Sequence, residues 1–193
     1  MQLPELFMLR HGQTIWNAEG RFQGQMNSDL TEQGKRDAAR QGSLLSPVFK
    51  KFPNAKIVAS PLGRVQQTAT IALTMHNRTP EFDKNLMEIS AGQWEGVTRR
   101  DIEKGWPDLF NASQTTIDLF MAAPGGEGYE TLYNRCKAFL SNLDQPSIVF
   151  THGTTMAVLR GIARNLSYEQ VTQLDHRQGC IYHISDEHET ILD

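Results

Sequence analysis

Two short apolar runs, each closed by a histidine and a glycine, constrain this chain more than any other feature. The first is Leu6-Phe7-Met8-Leu9, followed by Arg10-His11-Gly12, and the second is Ile148-Val149-Phe150, followed by Thr151-His152-Gly153. Apolar runs this short read as buried strands of a parallel sheet. Gln13-Thr14-Ile15-Trp16-Asn17 cannot continue the first strand cleanly. An arginine and a histidine at the end of a buried strand are costly unless they are used. Ligands of open parallel sheets sit at the carboxyl ends of the strands. Two strand-end His-Gly pairs, one preceded by arginine, therefore indicate an anion site at that edge.

The rest of the chain alternates between strand and helix patterns. Thr31 suits the N-cap of a helix running to about Leu45. Lys56–Ser60 reads as a second strand, Gly63 to about Thr74 as a helix, and Glu81-Phe82 as a third short strand. Residues 86–128 are the least regular part and carry Trp94, Trp106, Pro107 and the turn Pro124-Gly125-Gly126. They read as a lid-like insertion over the site, with one short helix near Arg99–Lys104. Leu132, Tyr133, Cys136, Phe139, Leu140 and Leu143 recur at helical spacing, so a helix spans about Tyr129 to Leu143. Ser147–Thr151 is a strand and Thr154–Arg164 a helix, while Cys180–Ile184 and Thr190–Leu192 close the sheet, one of them as an antiparallel candidate. The pattern predicts an α/β fold, a three-layer αβα sandwich with a mainly parallel central sheet.

Bulk properties narrow the function classes. At 193 residues the chain suits one domain, 1–193, with a substantial core. A net charge of −3 gives no general attraction to nucleic acid or to an anionic membrane. No apolar stretch is long enough to span a bilayer, and the first strand starts too early to leave room for a secretory leader. Cys136 and Cys180 lack CxxC spacing and read as small buried hydrophobes of a reducing compartment. The expectation is a cytoplasmic protein.

Four strand ends or post-strand loops carry unusual polar residues: Arg10-His11, Ser60-Pro61-Leu62-Gly63-Arg64, Glu88 and His152-Gly153. In a parallel sheet all of them can converge at one edge. Two histidines, two arginines and a carboxylate suit phosphoryl transfer to a protein nucleophile. A neutral imidazole attacks phosphorus, and arginine forks match phosphate oxygens. A second imidazolium stabilises equatorial charge, and a carboxylic acid protonates the leaving alkoxide and then activates water. Gly153, opening a helix, would aim backbone N–H groups at an anion.

These residues stand within longer segments: Leu9 to Thr14 with Trp16-Asn17, Arg21-Phe22-Gln23-Gly24, Leu30-Thr31-Glu32-Gln33-Gly34, Ser60 to Ala69, Glu88 to Gly96, Pro124-Gly125-Gly126-Glu127 and Thr151-His152-Gly153. In this order the sequence resembles the histidine phosphatase superfamily, its phosphoglycerate mutase-like branch, over most of the chain. The resemblance implies roles: His11 as the phosphorylated nucleophile, Arg10, Arg64 and His152 as the rest of the phosphate pocket, and Glu88 as the general acid/base. It places Asn17, Gln23 and the backbone near Gly153 against substrate or phosphate. It implies no metal and no other cofactor, because fixed arginines and an imidazolium stand where Mg²⁺ would.

The sequence departs from the family pattern in places. Asn27 and Asp29 replace the usual Asp and Pro, Gly128 stands where a capping Ser is common, and Thr154 replaces a frequent Gly. Residue type alone does not choose Glu88 over Glu95 or Glu127; the family pattern does. Trp94 and Trp106 read as packing, and His76, His176, His183 and His188 as surface or packing residues without metal-ligand spacing; His176, before Arg177 near the C-terminal strands, also reads as a residue near the site. Arg99-Arg100 reads as a solvated pair, or as a rim for a second substrate charge. The Glu88-Ile89-Ser90-Ala91-Gly92 run with Trp94-Glu95-Gly96 is similar to the phosphatase members and unlike the Glu-Arg-His-Tyr-Gly run of the mutases. The expected function is thus a metal-independent phosphatase acting on a small phosphorylated metabolite, as a monomer or homodimer. A phosphoglycerate mutase, a sugar-bisphosphatase, and a non-catalytic phospholigand-binding regulator that kept the fold are the alternatives.

Overall fold

The computed structural model describes residues 3–193. In chain order it runs β1 (Leu6–Arg10), α1 (Ile15–Ala18), α2 (Glu32–Lys51), β2 (Lys56–Ala59), α3 (Gly63–Thr74) and β3 (Glu81–Phe82). Then come α4 (Arg99–Gly105), α5 (Pro107–Ala112), α6 (Thr116–Ala122), α7 (Tyr129–Ser141), β4 (Ser147–Thr151), α8 (Gly153–Ala163), α9 (Tyr168–Thr172), β5 (Ile181–Ser185) and β6 (His188–Leu192). The strands form one sheet in the order β3-β2-β4-β1-β5-β6. The pairs β1–β4, β2–β4 and β2–β3 are parallel, while β5 is antiparallel to both β1 and β6. Only β5 therefore runs against the rest.

The alternation of side chains along the strands divides the core into two layers. Leu6, Met8, Val58 and Val149 face α7 and α8, where they meet Leu132, Phe139, Met156 and Val158. Phe7, Leu9, Ile57 and Phe150 face α2 and α3, against Leu45, Val48, Val65 and Leu73. Leu9 is fully buried, so Leu9→Ala would cost about 2–5 kcal/mol through lost transfer energy and a cavity. The α8 helix is buried nearly all round, which is why its sequence lacks a polar face. Its one buried cation, Arg160, is forked onto Glu189 with both contacts at 2.6 Å.

Several boundaries differ from those read in the sequence. The Thr31 side chain caps α2 as expected, accepting from the Gly34 N–H, but the helix continues past Leu45 to Lys51 with Pro47 inside it. Proline there sacrifices one ladder bond, and burial of Val48 holds the last turn in place. Residues 86–128 contain α5 and α6 as well as the expected α4. They pack around a third cluster, in which Trp94 is fully buried against Phe22, Ile102 and Leu119 with Trp106 at its edge. Among the described residues no helix is long and apolar enough to cross a membrane.

Candidate active site

Register places the two histidines side by side. Arg10 pairs with Thr151 at the carboxyl ends of the adjacent central strands β1 and β4, so the residues that follow, His11 and His152, emerge together. The His11 N–H extends the ladder to the Thr151 carbonyl at 3.0 Å. The two rings meet edge to face with centroids 5.3 Å apart. Both side chains are buried.

The hydrogen bonds of His11 fix its tautomer. Nδ1 lies 2.8 Å from the Gly12 carbonyl, which can only accept, so Nδ1 carries the proton. Nε2 receives the Arg64 Nε–H at 3.3 Å and is therefore the bare lone pair. Burial first, then the Arg64 and Arg10 guanidinium groups, hold this imidazole well below its ordinary 6.5. His11 is thus a neutral imidazole whose available nitrogen faces a cation, as a nucleophile toward an anionic centre requires.

The arginines are clamped from behind. Arg64, at the start of α3 and 1% exposed, donates to the Gly24 and Met26 carbonyls at 2.8 and 2.7 Å and to Asn27 Oδ1 at 3.4 Å. Burial pushes it down to about 10, still protonated at neutral pH, with Glu88 opposing the shift. Arg10 donates Nη1 to the His176 carbonyl at 2.8 Å and keeps a buried Nε–H without a partner among the described residues. Its guanidinium lies flat against the start of α8. A Cβ on Gly153 would stand 3.3 Å from Arg10 Cζ and Nε, so the glycine is the room that arginine occupies.

Geometry separates the three carboxylates that residue type could not. Glu88 Oε1 accepts from the N–H groups of Ile89 (3.1 Å) and Thr155 (3.0 Å), and Oε2 from that of Thr154 (3.2 Å). The carboxylate thereby caps the N-terminus of α8 beside the cavity. Glu95 instead ties down loop backbone at Gln25 and Ala91, and Glu127 is forked onto Arg135. Gly128 begins α7 with φ +75 and no side-chain cap, as the missing serine implied.

These groups border one cavity of about 260 Å³. Arg10, His11, Asn17, Gln23, Arg64, Glu88 and Gly153 all line it, and Phe22, Ile117 and Phe120 form an apolar wall beyond them. The Asn17 amide oxygen is taken by Thr14 and Gln178, which leaves its NH₂ for the cavity. His152 stands behind this lining, with Nε2 2.7 Å from Ser60 Oγ and Nδ1 without a partner among the described residues.

The geometry sharpens three expectations. Burial, then Arg64, His11 and Arg10, push His152 well below 6.5, so before an anion arrives the ring is neutral and offers an N–H. The α8 N-terminus is an anion cradle only in part: its Thr154 and Thr155 N–H groups are spent on Glu88, while Gly153 lines the cavity. Of the readings of His176, the one near the site holds: it lines the cavity and its carbonyl holds Arg10. Arg99 also lines the cavity, whereas Arg100 is exposed outside it. Gln178 was not visible in the sequence as a site residue, yet it donates to the His11 carbonyl at 3.0 Å. Among the described residues no three His, Cys, Asp or Glu side chains are grouped to hold a metal ion.

The chain is similar to known proteins in sequence and in fold. A family model described as the histidine phosphatase superfamily (branch 1) matches residues 6–191. The chain is 29% identical over 169 residues to phosphoglycerate mutase-like protein 4 of Arabidopsis thaliana, covering 83% of this chain and 71% of the other. It is 28% identical over 162 residues to phosphoserine phosphatase 1 of Hydrogenobacter thermophilus, covering 81% and 74%. Among solved structures, mycobacterial glucosyl-3-phosphoglycerate phosphatase, complexed with VO3, superposes with a TM-score of 0.79 at 27% identity over 98% of this chain and 97% of its own.

Proposed function

Since the chain belongs to the histidine phosphatase superfamily, we propose that it is a metal-independent phosphatase that hydrolyses small-molecule phosphomonoesters through a phosphohistidine at His11. The observation that carries this reading is the unprotonated Nε2 of a neutral His11, contacted by the Arg64 Nε–H in a ring 5.3 Å from that of the second buried histidine. Phosphatases of phosphoserine and glucosyl-3-phosphoglycerate among the relatives support hydrolysis.

In the first step Nε2 of His11 forms a bond to phosphorus as the ester P–O bond breaks. Arg10, Arg64 and the His152 N–H hold the non-bridging oxygens, where preorganised donors act most strongly. Glu88 accepts three backbone N–H groups, which fix its carboxyl beside the cavity. A monoanionic phosphomonoester carries the proton that Glu88 relays to the departing oxygen; free phosphomonoesters lose it near pH 6. In the second step Glu88 takes a proton from water, the hydroxide oxygen bonds to phosphorus as the N–P bond breaks to return His11, and Glu88 hands the proton to the departing phosphate, which resets both groups. Asn17 and Gln23 orient the substrate at the phosphate end, and residues 86–128 act as a lid that keeps bulk water out. The cavity accommodates a metabolite, not a folded protein chain.

Phosphate release from a panel of metabolite phosphoesters in the presence of chelator, together with acid-labile, base-stable labelling by ³²P substrate, tests the proposal. Wild-type protein should turn over and label, and His11→Ala should do neither. Label on any other residue, or vicinal phosphate transfer exceeding hydrolysis, overturns it, the latter in favour of a mutase.

A further inference from the structure

Ser60 closes β2 at the carboxyl edge of the sheet and is fully buried. Its N–H continues the ladder to the Phe150 carbonyl at 3.0 Å. Its hydroxyl has two neighbours: the Leu62 N–H at 3.3 Å, which can only donate to it, and His152 Nε2 at 2.7 Å. One oxygen lone pair is therefore engaged by Leu62, and the hydroxyl hydrogen needs an acceptor. Among the described residues the acceptor in reach is His152 Nε2.

A hydrogen bond donated to Nε2 decides where the imidazole proton sits. If Nε2 is the acceptor, a neutral ring must carry its proton on Nδ1. The opposite tautomer, with Nε2–H donating to Ser60, would leave a buried hydroxyl hydrogen unpaired and a bare lone pair at Nδ1. Nδ1 is the buried atom of this ring that has no partner, and the ring stands edge-on to His11. A lone pair there would repel an incoming phosphoryl oxygen, while an N–H would bind it.

We propose that Ser60 is a positioning residue that locks His152 as its Nδ1–H tautomer and so turns the unpartnered nitrogen into a donor for the transferring phosphoryl group. The proposal rests on the phosphatase reading for its purpose but not for its physical content, since the tautomer exists whether or not the protein turns over. Ser60 does not line the cavity and acts only through the His152 ring. Its hydroxyl rotor costs nothing to orient, because the Leu62 N–H already fills the accepting side.

The test reads the tautomer directly. In ¹⁵N-histidine-labelled protein, His152 should show a pyrrole-type Nδ1 and a pyridine-type Nε2. Ser60→Ala should lose that pattern, and Ser60→Thr, which keeps the hydroxyl, should restore it. Inorganic phosphate, the probe ligand, should bind about tenfold more weakly to Ser60→Ala than to wild type, the loss of roughly one oriented hydrogen bond. In a His152→Asn background, where the amide N–H has no tautomer to choose, Ser60→Ala should change phosphate affinity less than twofold. A wild-type spectrum with the proton on Nε2, or an equal cost of Ser60→Ala in both backgrounds, overturns the assignment. Failure of the phosphatase reading would look different: no turnover by wild type, with the Nδ1–H spectrum intact.

Discussion

The Nε–H of Arg64 points at Nε2 of His11 across 3.3 Å. The cation thus occupies the very lone pair that must attack phosphorus, and an arriving phosphate oxygen must take over that N–H for the attack to begin. Arg64 can yield because its other nitrogens are anchored on the Gly24 and Met26 carbonyls. Lysine offers one ammonium and cannot span both the anchors and the phosphate. Arg64→Lys should lower kcat/KM by about 10²-fold, with a matching loss of phosphate affinity, measured by phosphate release and by equilibrium binding. A loss under threefold would show that the fork geometry is immaterial.

Both buried histidines make the fold acid-sensitive. In the unfolded chain they titrate near 6.5, whereas burial and the neighbouring arginines hold the folded values well below that. Below pH 6.5 the unfolded state therefore binds protons that the folded state refuses. Stability is fully present above that pH and is lost as pH falls toward the folded values, by at most about 1.4 kcal/mol per pH unit for each histidine. Tm should drop between pH 7 and pH 5, and His152→Asn should flatten that drop. A Tm that does not change over this range, or the same slope in the variant, contradicts the assignment.

Glu88 should matter in proportion to how badly the leaving group needs a proton. Its carboxyl sits at the N-terminus of α8, held by Thr154 and Thr155, so Glu88→Gln keeps the volume, sets an NH₂ against one backbone donor and removes the relay. Alkyl phosphates should slow by about 10²–10⁴-fold, while an aryl phosphate with an acidic phenol should slow far less at the phosphorylation step. Single-turnover rates on the two substrate types check this, and equal losses on both would assign Glu88 a structural role.

Much of this site was legible because it hangs on strand ends. Leu6 to Leu9 and Ile148 to Phe150 announce buried strands by composition, and whatever follows a buried strand at the sheet's carboxyl edge is placed by the ladder itself. The roles of Glu88, Glu95 and Glu127 were not legible from residue type, since each follows a loop and only tertiary partners distinguish them. Gln178 was hidden, and His176 was legible only as one of two readings, for a related reason: they lie between α9 and β5 in a segment without periodicity. Their contribution comes through the Arg10 guanidinium and the His11 carbonyl, contacts across more than 160 residues of chain. Helices α5 and α6 escaped notice because they are short, and their apolar residues serve the Trp94 cluster as much as an amphipathic stripe.

The glycine after His11 should be intolerant of any side chain. A Cβ on Gly12 would lie 2.1 Å from the Gly34 carbonyl oxygen, and one on Gly34 would lie 2.0 Å from that of Gln13. The loop after β1 and the first turn of α2 thus touch backbone to backbone. Neither backbone can retreat without moving His11 or the Thr31 cap. Gly12→Ala should destabilise by about 3 kcal/mol through overpacking and displace the nucleophile. Gly105→Ala, with nothing within 4 Å of its Cβ position at the end of α4, should be neutral or stabilising by up to about 1 kcal/mol. Urea midpoints of the two variants decide the matter; similar midpoints would mean that the loop gives way.

The last prediction concerns neighbouring arginines with different environments. Arg99 lines the cavity, donates to Thr116 Oγ1 at 3.4 Å and lies over the Phe110 ring at 5.1 Å. Among the described residues it has no carboxylate within salt-bridge distance, so its charge is available to whatever enters. Arg100 is exposed and takes no part in the lining. A substrate with a second anionic group beyond the phosphate should use Arg99, and one with a neutral tail should not. Arg99→Ala should therefore raise KM about fivefold, or roughly 1 kcal/mol, for doubly anionic phosphomonoesters, while KM for neutral alkyl phosphates stays put. Arg100→Ala should change neither. Equal effects of the two substitutions on the two substrate types would mean that only the general positive field of this helix matters, and that Arg99 contributes no selectivity.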